Sequence, residues 1–371
     1  MEVKVCTRCV MDNVADATIS FENDGTCNYC NNALKSEKLV YFPNQEGANK
    51  LENIFNKIKE DGKGKKYDCM IGLSGGLDSA YVAYIAHKHG LRILAVHVDD
   101  GLDAPVTVEN IKKICTTFNI DLISEKPNKD QFADLTRAFI LAGLPEIAIP
   151  QDNVLFACLY KYAQKNNIKY FLSGENFTLE CITQAGFDAT DKVHILDVHK
   201  KFGRAKIDDK LPLYSILEKR LKYKYFHKIQ FVKPLYFVDY NASKALSELS
   251  EACGYEYYGN KHWESLFTKF VQVYYLPNKF NIDKRKSHYS SMIVSGQMTR
   301  AEALEKLKLP QYNEVEMEKE LGFILDYLEL SRAEFDKVMN EPPRKHVEFK
   351  SSIINKLSVF ILEQRKKKFG Y

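Results

Sequence analysis

At roughly 100–200 residues per domain, a chain of 371 residues has room for about two domains. Apolar residues make up 45% and charged residues 27%, which is enough core-forming material to exclude a mainly disordered chain. The 53 basic and 49 acidic residues leave a net charge of only +4, too slight to argue for nucleic acid, and no run approaches the roughly 20 apolar residues of a membrane-crossing helix.

The opening residues Met1-Glu2-Val3-Lys4-Val5-Cys6 show no apolar run leading to a small-residue cleavage site, so the expected location is the cytoplasm, where thiols stay reduced. Cys6, Cys9, Cys27 and Cys30 form two C-x2-C knuckles seventeen residues apart, the spacing of a zinc ribbon that presents four thiolates tetrahedrally. Disulfides or an iron–sulfur cluster are the competing uses of such a set. Cys69, Cys115, Cys158, Cys181 and Cys253 are scattered and read as small buried apolar residues.

Residues 44–61 space Leu51, Ile54, Phe55 and Ile58 at helical intervals, and a lysine-rich break follows at 62–66. A strand-like run at 67–73 then meets Ser74-Gly75-Gly76-Leu77-Asp78-Ser79, and a helix is expected over 80–89 with Gly90 as its C-cap. Strands at 91–98, 120–124 and 170–173 alternate with helices at 106–118, 131–142 and 153–166. This repetition predicts an α/β fold, a doubly wound parallel sheet with right-handed crossovers. The alternation weakens between 177 and 240, where 199–209 is basic and loop-like and 213–227 reads as a helix rich in Tyr and Lys. Beyond 255 the chain looks helical and basic, with an apolar, aromatic stretch at 267–275. Terminal helices are expected at 314–328, 332–339 and 351–366, broken at Pro342-Pro343. The expected domains are a zinc ribbon at 1–40, the α/β domain at 41–255 and a helical closing region at 256–371.

Between a buried strand and a helix, the string Ser74-Gly75-Gly76-Leu77-Asp78-Ser79 offers glycines for close backbone approach, serine hydroxyls, and helix N-terminal amides that favour an anion. Gly-Gly turns also occur at such junctions as mere geometry. The lysine-bearing G-x4-G-K-[ST] pattern is absent. The string resembles the phosphate loop of the N-type ATP pyrophosphatases, the PP-loop superfamily, whose members cleave ATP between the α and β phosphates. That resemblance implies ATP with Mg²⁺, pyrophosphate cradled by Ser74, Gly75, Gly76 and Ser79, and Asp78 helping to hold the metal. It also implies that His97 and Asp99, at the end of the second strand, and Gly174 and Glu175, at a later strand end, border the nucleotide. For His97 by itself, core packing is the better reading.

A narrower resemblance rests on Cys6-Thr7-Arg8-Cys9-Val10-Met11-Asp12, Gly25–Cys30, the segment from Tyr258 to Phe270, and the stretch from Leu276 through Ser290-Ser291-Met292 to Arg300. These strings are similar to the bacterial N-acetyl sugar amidotransferases (WbpG and PseA-like proteins). Membership implies conversion of the N-acetyl group of a surface-polysaccharide sugar precursor into an acetamidino group. In that chemistry the amide oxygen is adenylylated and ammonia then displaces AMP. The implied catalytic set is Asp78, Lys261, His262, Lys284 and Arg285. The cations, Lys286 among them, would meet the triphosphate charge, while His262 and Glu264 would position ammonia or take its proton. Read alone, the Asp283-Lys284-Arg285-Lys286 run is a solvated helix face. Position 2 is Glu and no scattered cysteine sits in a G-x-C-x-G setting, so ammonia is expected from a separate HisH-like glutaminase subunit, with a HisF-like barrel as conduit. The rival expectations are a PP-loop tRNA thiolase using Cys158 or Cys181, and a non-catalytic ATP-binding scaffold.

Overall fold

The computed structural model describes residues 2–16, 18–184 and 191–355. The chain divides into two compact units, each discontinuous in sequence: Met1–Glu125, Lys165–Ala185 and Gln230–Glu320 form the first, and Lys126–Gln164, Gly186–Ile229 and Leu321–Tyr371 the second. Neither coincides with the expected consecutive domains 1–40, 41–255 and 256–371. The knuckle and residues 256–320 belong to the same unit as the sheet, whereas residues 321–371 belong to the second unit.

Unit 1 holds a five-stranded parallel sheet built from β1 (Cys69–Gly72), β2 (Ile93–Val98), β3 (Asp121–Glu125), β4 (Tyr170–Leu172) and β5 (Gln230–Val232), in the order β3-β2-β1-β4-β5. Ile71 of β1 pairs with Ala95 on one side and Leu172 on the other, so β1 is central. β1 and β2 are apolar and buried almost throughout, as strands covered on both faces must be. The helix Leu77–Lys88 turns Ala80, Ala83 and Ala86 into the core, and Leu51, Phe55 and Ile58 of Gln45–Asp61, with Ala245 and Leu249 of Ala242–Cys253, complete it. Small alanines let that helix lie close to the sheet. β5 was not expected: three residues followed closely by Pro234 are too short to show alternation.

After Ser265, the helix Leu266–Phe270 widens into π-helical turns over Val271–Tyr275 before Leu276–Phe280. Pro277 has no N–H to donate and its ring crowds the carbonyl four residues back, which a wider turn accommodates. Unit 2 is helical. Lys129–Leu141 packs against Lys192–Phe202 and Arg332–Asn340, with Asp134 accepting from His199 at 2.8 Å and Arg137 donating to Glu334 at 3.1 Å. The helix expected at 213–227 is a π-helix over Glu218–Phe226. Of the helix expected at 351–366, residues 356–366 lie outside the described residues.

Candidate active site

The strand order reverses between β1 and β4, since the chain winds from β1 outward to β3 and then crosses to β4 on the other side. Open α/β sheets bind ligands outside the carboxyl ends of strands at such a switch point. Here those ends are Leu73-Ser74-Gly75-Gly76 after β1 and Ser173-Gly174 after β4. Gly75 takes φ +79°, and a Cβ on it would lie 2.5 Å from the Thr107 carbonyl oxygen, so only glycine fits. A Cβ on Gly174 would come within 3.0 Å of the Ser79 nitrogen, so the two strand ends close directly on the start of the helix Leu77–Lys88.

That helix begins at Gly76 with no side-chain cap. Its first-turn amides have no acceptor within the helix. Tyr258 Oη takes the Leu77 N–H at 3.0 Å, while Ser74 Oγ accepts from Gly76 N at 3.2 Å and lies 3.3 Å from Ser79 Oγ. Tyr255 Oη donates to the Gly75 carbonyl at 2.8 Å and steadies the loop from below. An uncapped helix start lined by serine hydroxyls is suited to an oxyanion.

Asp78, in the first turn, meets Lys261 Nζ at 2.7 Å and accepts from Tyr240 Oη. Lys261 also reaches Glu180 at 2.9 Å. Burial alone would depress the Lys261 ammonium, but the Asp78 and Glu180 carboxylates outweigh it and hold the group above the usual lysine range. Burial, then the Asp78 charge, pushes the Tyr240 phenol well up, so it stays a donor. The segment carrying Lys261 is anchored beside the loop: Ala104 N donates to the Glu264 carbonyl at 2.9 Å, Thr107 Oγ1 donates to it at 3.1 Å, and Leu266 N donates to Leu102 O at 2.8 Å.

The expected residues fall into two groups. Ser74, Gly75, Gly76, Asp78, Ser79, Gly174 and Lys261 meet at one place, and His262 lies beside them, its Nδ1 3.7 Å from Glu264 Oε1. The others have structural partners. His97 is buried, bonded through Nδ1 to Leu73 O at 3.0 Å, and its Nε2 lies 3.2 Å from Asp103. Asp99 Oδ1 accepts from Gly101 N in the turn after β2, and Glu175 pairs with Lys233 and Tyr236. Arg285 spends its guanidinium on Asp283 and on the carbonyls of Lys306, Leu307 and Leu309, where it caps the helix Arg300–Leu307. In this conformation the nearby carboxylate and helix end satisfy the donors that the expected phosphate grip by Arg285 would use. Lys284 starts the helix Arg285–Val294, and its charge, after burial and those of His262 and Lys261, helps to depress His288. Glu180, Tyr240, Tyr255 and Tyr258 were not expected. Only Tyr258 lay inside a string that had drawn notice.

In the same unit, the sulfurs of Cys6, Cys9, Cys27 and Cys30 all lie within 4.8 Å of one another and are fully buried. Cys6 and Cys30 are 3.7 Å apart and Cys9 and Cys27 3.6 Å, close to the ~3.8 Å edge of a tetrahedron with zinc–sulfur bonds of about 2.3 Å. Backbone N–H groups of Cys9 and Cys27 point at Cys6 Sγ, at 3.4 and 3.2 Å. Four thiolates this close together and fully buried would repel one another unless a cation sat among them. The donor set therefore fits zinc. With no open ligand position, zinc there would supply folding energy rather than chemistry.

Comparison with known proteins divides along the same lines. Residues 68–178 match the family model described as queuosine biosynthesis protein QueC, and residues 264–360 match that of the LPS biosynthesis protein WbpG-like C-terminal domain. Among curated proteins, an uncharacterized protein of Methanocaldococcus jannaschii is 31% identical over 132 residues, 35% of this chain and 45% of its own length. The tRNA-specific 2-thiouridylase MnmA 2 of Fusobacterium nucleatum is 27% identical over 119 residues, 30% of this chain and 34% of that protein. The glutamine-hydrolyzing GMP synthase of Coxiella burnetii is 26% identical over 191 residues, 49% of this chain and 34% of that protein. The chain thus spans less than half the length of these relatives. The first model covers the loop and both strand ends, and the second begins at Glu264, whose carbonyl is bonded beside that loop. Over these two stretches the chain is similar to the QueC and WbpG-like C-terminal families, the first of them on the switch-point sheet that carries the loop.

Proposed function

We propose that the protein is an ATP-dependent amidotransferase that converts the N-acetyl group of a surface-polysaccharide sugar precursor, of the LPS O-antigen or nonulosonic-acid kind, into an acetamidino group. The observation that carries this reading is the docking of the segment 258–264 on the phosphate loop: Tyr258 on the Leu77 amide, Lys261 on Asp78, and Glu264 within reach of Gly76. The phosphate loop is thereby joined to a segment that ends on the first residue of the WbpG-like match, Glu264, with Tyr258 and Lys261 just ahead of it.

The uncapped amides of the helix Leu77–Lys88 and the Ser74 and Ser79 hydroxyls would receive the phosphates of ATP. Asp78 and Glu180 supply oxygen donors of the kind a hard divalent cation such as Mg²⁺ takes. Lys261, whose charge is secured by those same carboxylates, offsets the negative charge that builds up as pyrophosphate leaves. The amide oxygen of the acetamido group attacks the α-phosphorus, the bond to pyrophosphate breaks, and the amide nitrogen loses its proton to give an O-adenylyl imidate. Ammonia adds to the imidate carbon and the C–O bond breaks, with AMP leaving.

The decisive assay follows ATP, Mg²⁺ and ammonium with a panel of N-acetylated sugar precursors by mass spectrometry. AMP appearing with a product in which NH replaces O supports the reading. ATP binding without AMP across the panel, with and without a glutaminase subunit of the HisH type and a HisF-like conduit, would overturn it. The thiols that tRNA thiolation would need are poorly placed for it: Cys158 is fully buried, and Cys181 is partly buried, with burial pushing its thiol up to about 12.

A further inference from the structure

Next to the phosphate loop lie three groups that phosphate binding does not use: His262, Glu264 and His288. The Glu264 carboxylate borders Gly76, where an added Cβ would sit 3.0 Å from Oε1. An anionic side chain at the mouth of an anion-binding loop is electrostatically costly unless a cation sits against it. Yet the ammonium nearby, Lys261, is committed to Asp78 and Glu180. Glu264 Oε2 is buried with no hydrogen-bond partner, and the gap of 3.7 Å from Oε1 to His262 Nδ1 is too long for a hydrogen bond.

The backbone holds this arrangement in place. His262 adopts φ +68°, a left-handed conformation costly for a non-glycine residue, and such strain persists where the surroundings impose it. Those surroundings are the Glu264 carbonyl bonds to Ala104 N and Thr107 Oγ1, and the bridge between Asp103 and Ser265. The ring of His288 lies 5.5 Å from that of His262 and is kept neutral by burial and by the neighbouring charges of His262, Lys261 and Lys284.

We propose that Glu264 and His262 form the ammonium subsite, with the carboxylate binding NH4⁺ and the imidazole taking one proton to release the nucleophile. A small N–H donor placed between Glu264 Oε1 and His262 Nδ1 bonds to both. After that transfer the nitrogen lone pair forms a bond to the imidate carbon, and a second proton moves from the attacking nitrogen to the imidate nitrogen. The C–O bond then breaks toward AMP, leaving the amidinium, and the proton on His262 passes to solvent. The inference rests on the acetamido-to-acetamidino reading above.

The test separates the two half-reactions. Wild type, Glu264→Gln and His262→Ala are assayed for acceptor-dependent ATP–pyrophosphate exchange, for amidine formation with ammonium, and for amidoxime formation with hydroxylamine, a nucleophile that is unprotonated near neutral pH. Exchange should persist, while ammonium-dependent amidine formation falls by about 10²–10⁴-fold and the ammonium KM of Glu264→Gln rises. Hydroxylamine should restore most of the rate to His262→Ala. Loss of exchange along with amidine formation would place the pair on the phosphates or their metal and overturn the subsite. Unchanged ammonium kinetics would overturn it as well. If wild type itself gives no amidine from any acceptor, the parent reading fails instead.

Discussion

Lys261 sits where a cation is needed and where burial works against having one, so its neighbours decide its charge. Asp78 and Glu180 keep the pKa above the usual lysine value of about 10.4. A raised lysine pKa adds stability that is fully present below the unfolded value and is lost only as pH rises through the folded one. Across pH 6–9 the contribution is therefore constant. Lys261→Met removes the shared cation between two carboxylates, leaving Asp78 with the Tyr240 hydroxyl and Glu180 with the Asn176 N–H. Allowing for their partial exposure, the expected cost is about 2–4 kcal/mol, uniform over that pH range, with adenylylation reduced by about 10²–10³-fold. Calorimetry at several pH values with an AMP assay checks this. A melting point matching wild type would show that the lysine balances nothing. Glu180→Gln, which leaves the Asp78–Lys261 pair intact, should cost less on both counts.

At the level of elements, the cysteine knuckle is bound into unit 1 rather than appended to it. Its core of Cys6, Cys9, Met11, Cys27, Cys30 and Ala33 includes Ile182, two residues after Glu180. Val10 N–H donates to Ser290 Oγ, Ile182 N–H to Ser291 Oγ, and Arg300 to the Cys6 and Cys9 carbonyls. Removing zinc should therefore loosen the turn that holds Glu180 against Lys261. We expect about one zinc per chain by elemental analysis, lost in Cys9→Ser or on chelation, with a lowered melting point. An unaltered melting point after complete metal removal would refute the coupling. The knuckle and the Ser74–Ser79 loop were legible in the sequence because their chemistry lies within a few adjacent residues. Glu180 and Tyr240 were not, since each reaches the loop across about a hundred residues or more of chain and carries no local signature. Arg285 is the opposite case. A basic run looks ready for phosphate, but Asp283, two positions upstream, and the helix end near Leu307 capture the guanidinium.

Across the whole molecule, each unit encloses a neutral imidazole, and this sets the acid limit of the fold. In unit 1 it is His288, and in unit 2 it is His194, which is fully buried and bonded through Nε2 to His346 Nδ1 at 3.0 Å. Burial first, and then the His346 charge, lower His194 to about 4. A depressed histidine pKa means that the unfolded chain binds the proton first. Stability therefore falls as pH drops below the unfolded value of about 6.5, and the fall continues to about pH 4. Between pH 7 and 4.5 this one group should remove about 2–3 kcal/mol. Carboxylates with lowered values in the same unit, Asp134, Asp191, Asp197, Asp208 and Glu334, lose their contribution as pH falls through about 4.5 and below, and they do so equally in variant and wild type, so they cancel from the comparison. His194→Gln keeps a polar group at the site and cannot take up the proton. Whatever its stability at pH 7, its decline between pH 7 and 4.5 should be shallower than that of wild type by that amount. Far-UV circular dichroism melts follow the whole chain, while fluorescence of Trp263, the single tryptophan, follows unit 1 alone. Parallel slopes for variant and wild type would mean that His194 takes up its proton equally readily in the folded and unfolded chains, so that burial does not depress it. A shallower slope seen by dichroism but not by Trp263 would assign the acid-sensitive step to unit 2.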